Sequence, residues 1–299
     1  MTGKGGVGKT TVAVALGLCA VELGRRTLIV DTASDGSLGQ LFARRRLSAV
    51  PQELQAKLDG VRVDARQLVE QYFSRLLRFQ WLADRLLSSN TFNALTAAAP
   101  GITEFLLLEK ILGWVEPGTG IRRRGYDIII VDGPATGHAL KLLGTPRRLA
   151  AMVPGGPLGR SARKLLALLA DHARTRVLLV SLPEEMAVRE AIETQHALEN
   201  DLALHVTRPV VNRVFPRHFT ASAAKQIEQH NSPAGAAVRL AAQFTIASRR
   251  EAERHMAHLR RALGVSPIQL RQLFTTEVRA ADLRPFGRTL ERAVLNPAT

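Results

Sequence analysis

Cysteine is almost absent from this sequence of 299 residues, in which Cys19 is the single example. One thiol cannot form an intrachain disulfide framework or a cluster of thiolate ligands for a metal ion. This cysteine usage suits a reducing compartment, and we expect a cytoplasmic protein. The sequence also lacks any run of about 18 apolar residues without a charge, which excludes a membrane-spanning helix. No apolar stretch precedes Lys4, so the first residues do not resemble a secretory signal.

Aromatic and lysine residues are also scarce, whereas arginine is abundant. Aromatic residues make up 5% of the chain, and seven of its 41 basic residues are lysine. The net charge of +15 would permit binding to nucleic acid or to an anionic membrane. The simpler interpretation is arginine scattered over solvated faces, because no aromatic residues that could stack on bases lie between the arginine clusters at 44–46, 122–124 and 147–148. We therefore regard nucleic-acid binding as the weaker interpretation.

Short β-branched runs alternate with longer amphipathic stretches along the chain. This pattern predicts a single α/β domain over residues 1–299, with a mostly parallel sheet flanked by helices. The predicted strands are 27–30, 126–131, 176–182, 206–211 and 267–274. The predicted helices are 10–24, 185–200, 221–230, 236–263 and 280–295.

Two stretches, at about 65–115 and 149–173, depart from this alternation. Apolar residues recur at helical spacing in the first stretch, and a Pro-Gly-Gly-Pro break at 154–157 lies in the second. We predict that they form a helical subdomain inserted on one side of the domain, although such apolar stripes can also be ordinary core. The segment 117–120 predicts a surface loop.

Glycines are concentrated near the beginning of the chain, in Gly3-Lys4-Gly5-Gly6-Val7-Gly8-Lys9-Thr10-Thr11. This segment satisfies the Gly-x-x-x-x-Gly-Lys-Thr pattern of a phosphate-binding loop, or P-loop. Its glycines let backbone N–H groups turn toward phosphate oxygens, Lys9 supplies a positive charge, and Thr10 presents a hydroxyl to Mg²⁺. We predict a site for ATP and Mg²⁺ formed by Gly3, Gly5, Gly6, Val7, Gly8, Lys9, Thr10 and Thr11.

A phosphate-binding loop normally follows a buried strand, and here only Met1 and Thr2 precede it. Loss of that strand would remove the centre of the sheet and leave backbone donors without partners. We therefore expect that the first strand is missing from the given sequence, that the natural start lies upstream, and that Met1 stands at the position of an apolar strand residue.

A second signature, Asp132-Gly133-Pro134-Ala135-Thr136-Gly137-His138, directly follows the apolar run 127–131. An acid at the end of such a strand can hold Mg²⁺ through water, and we assign Asp132 to the metal site together with Thr10. Combined with the lysine-rich phosphate loop, this segment resembles the arsenite-pump ATPases and the ATPases that target tail-anchored membrane proteins. Segments 100–104, 182–185 and 211–216 resemble the bacterial branch of that family, so the resemblance extends from Gly3 to Pro216.

The resemblance implies roles for residues that the phosphate-loop pattern alone leaves unexplained. Lys4 would act in catalysis by reaching the nucleotide of a second subunit, which implies a nucleotide-sandwich dimer. Asn212 would contact adenine, although a turn residue that caps the following helix is the alternative. His138 would relay the state of the site to the helical region.

The first switch of the family departs from its usual pattern in this chain. In the segment 31–42, ungapped alignment puts Ala33 at the family's water-orienting aspartate and Ser37 at its asparagine. An alanine methyl group cannot polarise water, so Asp31 or Asp35 would have to take the catalytic role. Since misplacing a catalytic group by about 1 Å can cost roughly 10²-fold in rate, we expect tight binding with slow or absent hydrolysis.

The scarcity of cysteine also excludes two properties that the family resemblance would suggest. One Cys19 per chain cannot build a metalloid site, and it cannot supply the four ligands of a tetrahedral zinc between two subunits. We expect an ATPase switch whose dimer opens and closes to handle a client, such as a helix of a membrane protein. One alternative is a hydrolysis-deficient nucleotide-binding subunit that pairs with a paralogous ATPase, and another is a partition-type ATPase associated with DNA. The dimer could therefore be a homodimer or a heterodimer with a paralogue.

Overall fold

The computed structural model describes residues 1–32, 36–43, 47–76, 101–116, 125–153, 155–229, 235–291 and 294. The strands are β1 (Thr27–Asp31), β2 (Gln52–Gln55), β3 (Leu58–Arg62), β4 (Ile128–Asp132), β5 (Val180–Ser181), β6 (Val210–Val214) and β7 (Ile268–Arg271). The helices are α1 (Lys9–Glu22), α2 (Ser37–Leu41), α3 (Ala65–Leu76), α4 (Ile102–Val115), α5 (Thr136–Met152), α6 (Gly156–Ala170), α7 (Glu185–His196), α8 (Ala221–Gln229), α9 (Ala236–Leu263) and α10 (Arg284–Leu290). A π-helical turn, Ala197–Asp201, extends α7, and a 3₁₀ turn, Ala280–Leu283, precedes α10.

The strands form two sheet halves, with the orders β2-β3-β1-β4 and β5-β6-β7. All pairs are parallel except β2 with β3, which lie antiparallel at one edge. The register of β1 and β4 brings Asp31 opposite Asp132 at the carboxyl ends of both strands. These central strands are almost wholly apolar because helices cover both faces of a parallel sheet. The predicted fold class is confirmed.

Met1 and Thr2 join the two halves. The Met1 amino group donates to the Val131 carbonyl at 2.7 Å, and the Gly133 N–H donates to the Met1 carbonyl at 3.0 Å. On the other side, Thr2 donates to Leu178 at 3.0 Å and accepts from Val180 at 2.8 Å. The two residues therefore occupy the position between β4 and β5 at which a strand leading into the phosphate loop was expected.

Apolar clusters cover the sheet on both faces. On one face, α1 packs against α10, and a Cβ on Gly287 would lie only 2.9 Å from the Ala15 carbonyl oxygen, so the two helices approach closely. On the other face, α3, α4, α5 and α6 share a core that includes Phe105, Leu142 and Leu165. This core lies against Leu28 and Val30 of β1.

Some predicted element boundaries differ from those of the structure. In the stretch 149–173, the first residues complete α5, which passes through Pro146 to Met152, and Gly156–Ala170 form α6; that this stretch is an insertion stays a prediction. The antiparallel pair β2 and β3 was not predicted, since Gly60 interrupts its apolar pattern. The strand predicted at 206–211 lies instead at Val210–Val214. Part of the predicted insertion at 65–115 and the whole predicted loop at 117–120 fall outside the described residues.

Candidate nucleotide-binding site

The phosphate-binding loop connects the Thr2 bridge to the start of α1. Gly6 and Gly8 adopt left-handed backbone conformations, with φ of 79° and 90°, which residues with a Cβ adopt at a cost. Gly8 directly precedes α1, so the first N–H groups of that helix point toward the loop. The helix dipole adds positive potential at the same place, and the loop is therefore suited to a phosphate group.

Lys9 lies across this loop. Its Nζ atom donates to the Gly3 carbonyl at 3.1 Å and to the Lys4 carbonyl at 3.2 Å. These two bonds hold a positive charge above the same backbone that would surround a phosphate. Phosphate oxygens are stronger acceptors for an ammonium group than neutral carbonyls, since the hydrogen bond then joins two ions. Lys9 is thus placed for the role that the sequence predicted.

Three oxygen-bearing side chains meet beside the loop, where β4 ends and α1 and α2 begin. The Thr10 hydroxyl donates to Oδ2 of Asp132 at 2.5 Å, and the Ser37 hydroxyl donates to Thr10 at 3.1 Å. Asp132 is 1% exposed. Hydroxyl and carboxylate oxygens are the ligands that Mg²⁺ prefers, so Thr10 and Asp132 fit the predicted metal site. Ser37 joins them, although sequence reasoning had noted it only as a departure from the family pattern.

The candidate catalytic acids are only partly described. Asp31 is buried at the end of β1 beside Asp132, and its carbonyl accepts from the Val63 N–H at 2.9 Å. The side chains at positions 33 and 35 lie outside the described residues, so the roles of Ala33 and Asp35 stay predictions. Lys4 is partly exposed at the loop, and its action on a second subunit stays a prediction as well.

Asn212 is tied to the phosphate-binding loop across the sheet. Its Nδ2 donates to the Val7 carbonyl at 3.0 Å, and its Oδ1 accepts from the Arg213 N–H at 2.9 Å. The alternative role as a cap for the next helix is wrong, because α8 begins only at Ala221 and Thr220 accepts a hydrogen bond from the Ala223 N–H there. The predicted contact with adenine is untested, but the structure places this side chain at the loop.

A cavity of about 900 Å³ opens over the loop. Its walls include loop residues, Ser37 and Asp132, as the motifs predict, but also the segment Glu277–Arg279 between β7 and the 3₁₀ turn. Sequence reasoning missed this segment because it carries no motif and lies near the far end of the chain. The Arg279 backbone N–H donates to Asp282 at 2.9 Å, which fixes the segment to the turn that follows it.

The second signature links the site to the helices behind it. Thr136, at the start of α5, donates a hydrogen bond to Glu190 of α7. His138 lies exposed in the first turn of α5. The end of β4 at Asp132 is thus linked to α7 through the start of α5. The relay role of His138 stays a prediction.

Among the described residues, no three or more histidine, cysteine, aspartate or glutamate side chains form a cluster suited to a metal ion. In the same part of the chain, none of the helices combines the length and the apolar character that crossing a membrane requires.

The parallel sheet, the glycine loop before α1 and the acid at the end of β4 define a P-loop nucleotide-binding protein of the α/β class. Residues 1–154 match the model of the anion-transporting ATPase family. The chain belongs to this family, and the predicted resemblance is confirmed.

Curated relatives extend the match beyond these residues. ATPase BagA of Mycobacterium tuberculosis is 27% identical over 224 residues, which cover 73% of this chain and 65% of that protein. The arsenical pump-driving ATPase of Escherichia coli is 28% identical over 259 residues, which cover 78% of this chain and 43% of that protein. The corresponding ATPase of Acidiphilium multivorum is 28% identical over 264 residues, with the same two coverages. The chain thus spans less than two thirds of the length of each of these relatives.

Proposed function

We propose that this chain binds ATP with Mg²⁺ and hydrolyses it slowly. The observation that carries the proposal is the cluster in which Lys9 covers the phosphate loop while Thr10, Ser37 and Asp132 meet at its edge. Family membership supports the same nucleotide chemistry. Mg²⁺ supplies positive charge that offsets the negative charge developing on the phosphate oxygens.

Each residue of the cluster has a separate task in this proposal. The loop N–H groups bind and orient the phosphates, and Lys9 neutralises charge on the terminal one. Thr10 and Asp132 hold the metal side of the site, the hydroxyl directly and the carboxylate through water. Asn212 holds the loop in place by its hydrogen bond to the Val7 carbonyl, and in this proposal it also contacts the adenine of the nucleotide. Of the two candidate acids, Asp31 lies among the described residues, and in this proposal it orients the attacking water.

The proposed regulatory role rests on the family resemblance and on the contacts behind the site. Nucleotide binding would change the position of α5 through Thr136, and the helices packed on α5 would move with it. A dimer in which Lys4 reaches the partner's nucleotide would make this change cooperative, and a client helix of a membrane protein would be handled by the helical face. A non-catalytic subunit that pairs with a paralogue is the second candidate, favoured by Ala33 in the first switch.

Binding and turnover need separate assays. We expect that the protein binds ATP with an affinity that rises in Mg²⁺, and that Thr10→Val and Asp132→Asn remove most of this Mg²⁺ dependence while retaining the fold. Isothermal titration with and without Mg²⁺ measures it. Equal affinity in both conditions for the unaltered protein would refute the assigned metal site.

Turnover then distinguishes the two candidates. Slow phosphate release that falls further in Asp31→Asn supports the ATPase, whereas release that requires an added paralogue supports the non-catalytic subunit. Light scattering with and without ATP tests the dimer, and Lys4→Ala should leave ATP binding intact while lowering turnover. DNA binding that weakens steeply with salt would instead support the partition-type alternative.

A further inference from the structure

Another cavity, of about 570 Å³, lies between α8 and α9. Its walls come from the segment that follows β6, from the start of α8 and from the middle of α9. The described walls of this cavity and of the nucleotide cavity have no residue in common. A concave site of this size is typical of pockets that bind small molecules.

Arginine determines the charge of this cavity. Among its described wall residues, Arg217, Arg249 and Arg250 are accompanied by a single acid, Glu253. The wall therefore has an excess of two positive charges when histidine is counted as neutral. The start of α8 at Ala221 also borders the cavity, and the positive end of that helix dipole adds to the potential. The cavity thus favours an anion.

The contacts of Glu253 show that the arginines bring more donors together than this acid can accept. Nε and Nη2 of Arg217 donate to Oε1 of Glu253 at 2.8 and 2.5 Å, and Nε of Arg249 donates to the same oxygen at 2.8 Å. A carboxylate oxygen has two lone pairs, so three N–H donors on one oxygen exceed its capacity. A second carboxylate would accept from one of these donors and neutralise one of the excess charges.

The two arginines differ in how firmly they are held. The Arg249 side chain is 17% exposed, and its Nη1 also donates to the Phe215 carbonyl at 3.0 Å, which fixes the guanidinium in the wall. The Arg217 side chain is 69% exposed and can turn toward a ligand. A fixed and an adjustable guanidinium side by side suit a carboxylate, because each of its two oxygens can accept from one of them.

Much of the remaining wall is apolar. Ile246 and Ala224 are buried, and Pro216 and Phe219 also line the cavity. An inorganic anion would leave this apolar surface uncovered. An organic anion would cover it with its carbon skeleton and would gain from the removal of both surfaces from water.

We propose that this cavity is a binding site for a small organic carboxylate. The head group would pair with Arg217 and Arg249, and the apolar body would lie against Ile246 and Phe219. Such a ligand would bridge the start of α8 and the middle of α9. It would bind independently of ATP, because the described walls of the two cavities are separate.

Three probes test the site by isothermal titration of the full chain without nucleotide: 2-naphthoate, its uncharged carboxamide 2-naphthamide, and acetate. 2-Naphthoate has both features of the proposed ligand, whereas 2-naphthamide lacks the charge and acetate lacks the apolar body. We expect 2-naphthoate to bind about tenfold or more tightly than either of the others, since charge-assisted hydrogen bonds and apolar burial both contribute. Saturating ATP with Mg²⁺ should leave its affinity unchanged.

Variants of two arginines locate the binding. Arg217→Gln should weaken 2-naphthoate by about tenfold or more, whereas Arg217→Lys keeps the charge without the planar fork and should weaken it less. Because the Arg217 side chain is mostly exposed, neither substitution removes a core contact. Arg261→Gln is the matched control, since Arg261 is an exposed arginine in the last turn of α9 and lies outside the described cavity wall. This control should bind 2-naphthoate like the unaltered protein.

Three outcomes would each overturn the proposal. Absence of 2-naphthoate binding, or equal binding of either other probe, would show that the cavity does not select an organic carboxylate. Equal losses in Arg217→Gln and Arg261→Gln would indicate general attraction to a basic surface. Release of 2-naphthoate by ATP would place the probe at the nucleotide site instead.

Discussion

The glycines of the phosphate-binding loop allow the loop geometry to be tested in steps by alanine substitution. Gly5 has open space around it and no left-handed backbone, so Gly5→Ala is the control. Gly6 also has open space but a φ of 79°, so Gly6→Ala isolates the cost of a left-handed alanine. At Gly8 the φ is 90° and a Cβ would overlap the Asn212 amide nitrogen. Gly8→Ala therefore combines backbone strain with displacement of Asn212.

The magnitudes follow from these differences. A left-handed alanine costs about 1 to 2 kcal/mol, so Gly6→Ala should lower the free energy of unfolding by that amount. Gly8→Ala adds displacement of the Asn212 amide from Val7, which costs a further ~1–3 kcal/mol for a buried group that loses its partner. Gly5→Ala should be neutral or stabilising by up to about 1 kcal/mol, because it restricts the unfolded chain.

A double mutant separates strain from overlap. Asn212→Ala removes the atom with which the new methyl group collides, so the double variant Gly8→Ala/Asn212→Ala should retain only the backbone cost plus the loss of Asn212. The two substitutions should then be less than additive by about 1–3 kcal/mol. Urea unfolding without nucleotide gives the four free energies. Simple additivity, together with equal losses for Gly6→Ala and Gly8→Ala, would refute the close contact of Asn212 with the loop.

Two further predictions concern pH. In the chain that starts at Met1, burial lowers the pKa of the Met1 amino group from 8.0 to about 6, partly opposed by Asp132 and reinforced by Lys9. The unfolded chain then binds more protons between these values, so stability should fall by about 2 kcal/mol as the pH falls from 8 to 6. Chemical unfolding across this range measures the effect, and an N-acetylated chain should show no such change. At Glu253, burial raises the pKa, but hydrogen bonds from Arg217 and Arg249 outweigh it and lower the pKa below the ordinary 4.5. Its contribution should be present above pH 4.5 and be lost in more acidic solution, and Glu253→Gln should remove that pH dependence; an unchanged acid profile would contradict the assignment.

The sequence was most informative where short motifs carry the chemistry. Gly8, Lys9 and Thr10 are adjacent, and Asp132 follows an apolar strand, so their meeting follows from the usual arrangement of a parallel sheet. Only the family resemblance predicted that Asn212 belongs to the site, because nothing near it in the sequence indicates its hydrogen bond to Val7. The segment Glu277–Arg279 could not be predicted, because tertiary packing alone brings it to the cavity. The boundary error at β6 arose because polar Asn212 and Arg213 interrupt the apolar run that predicted the strand, whereas the strand continues to Val214.

The junction at Met1 and Thr2 also has a thermodynamic consequence for the nucleotide site. These residues hold the two halves of the sheet together, and the phosphate loop leaves from them directly at Gly3. A ligand that orders the loop must therefore favour the joined arrangement, and by reciprocity the joined arrangement must raise the affinity for that ligand by the same factor. Under the proposed function, affinity for phosphate would thus depend partly on how well the sheet is closed at its centre, at residues outside the phosphate-binding loop.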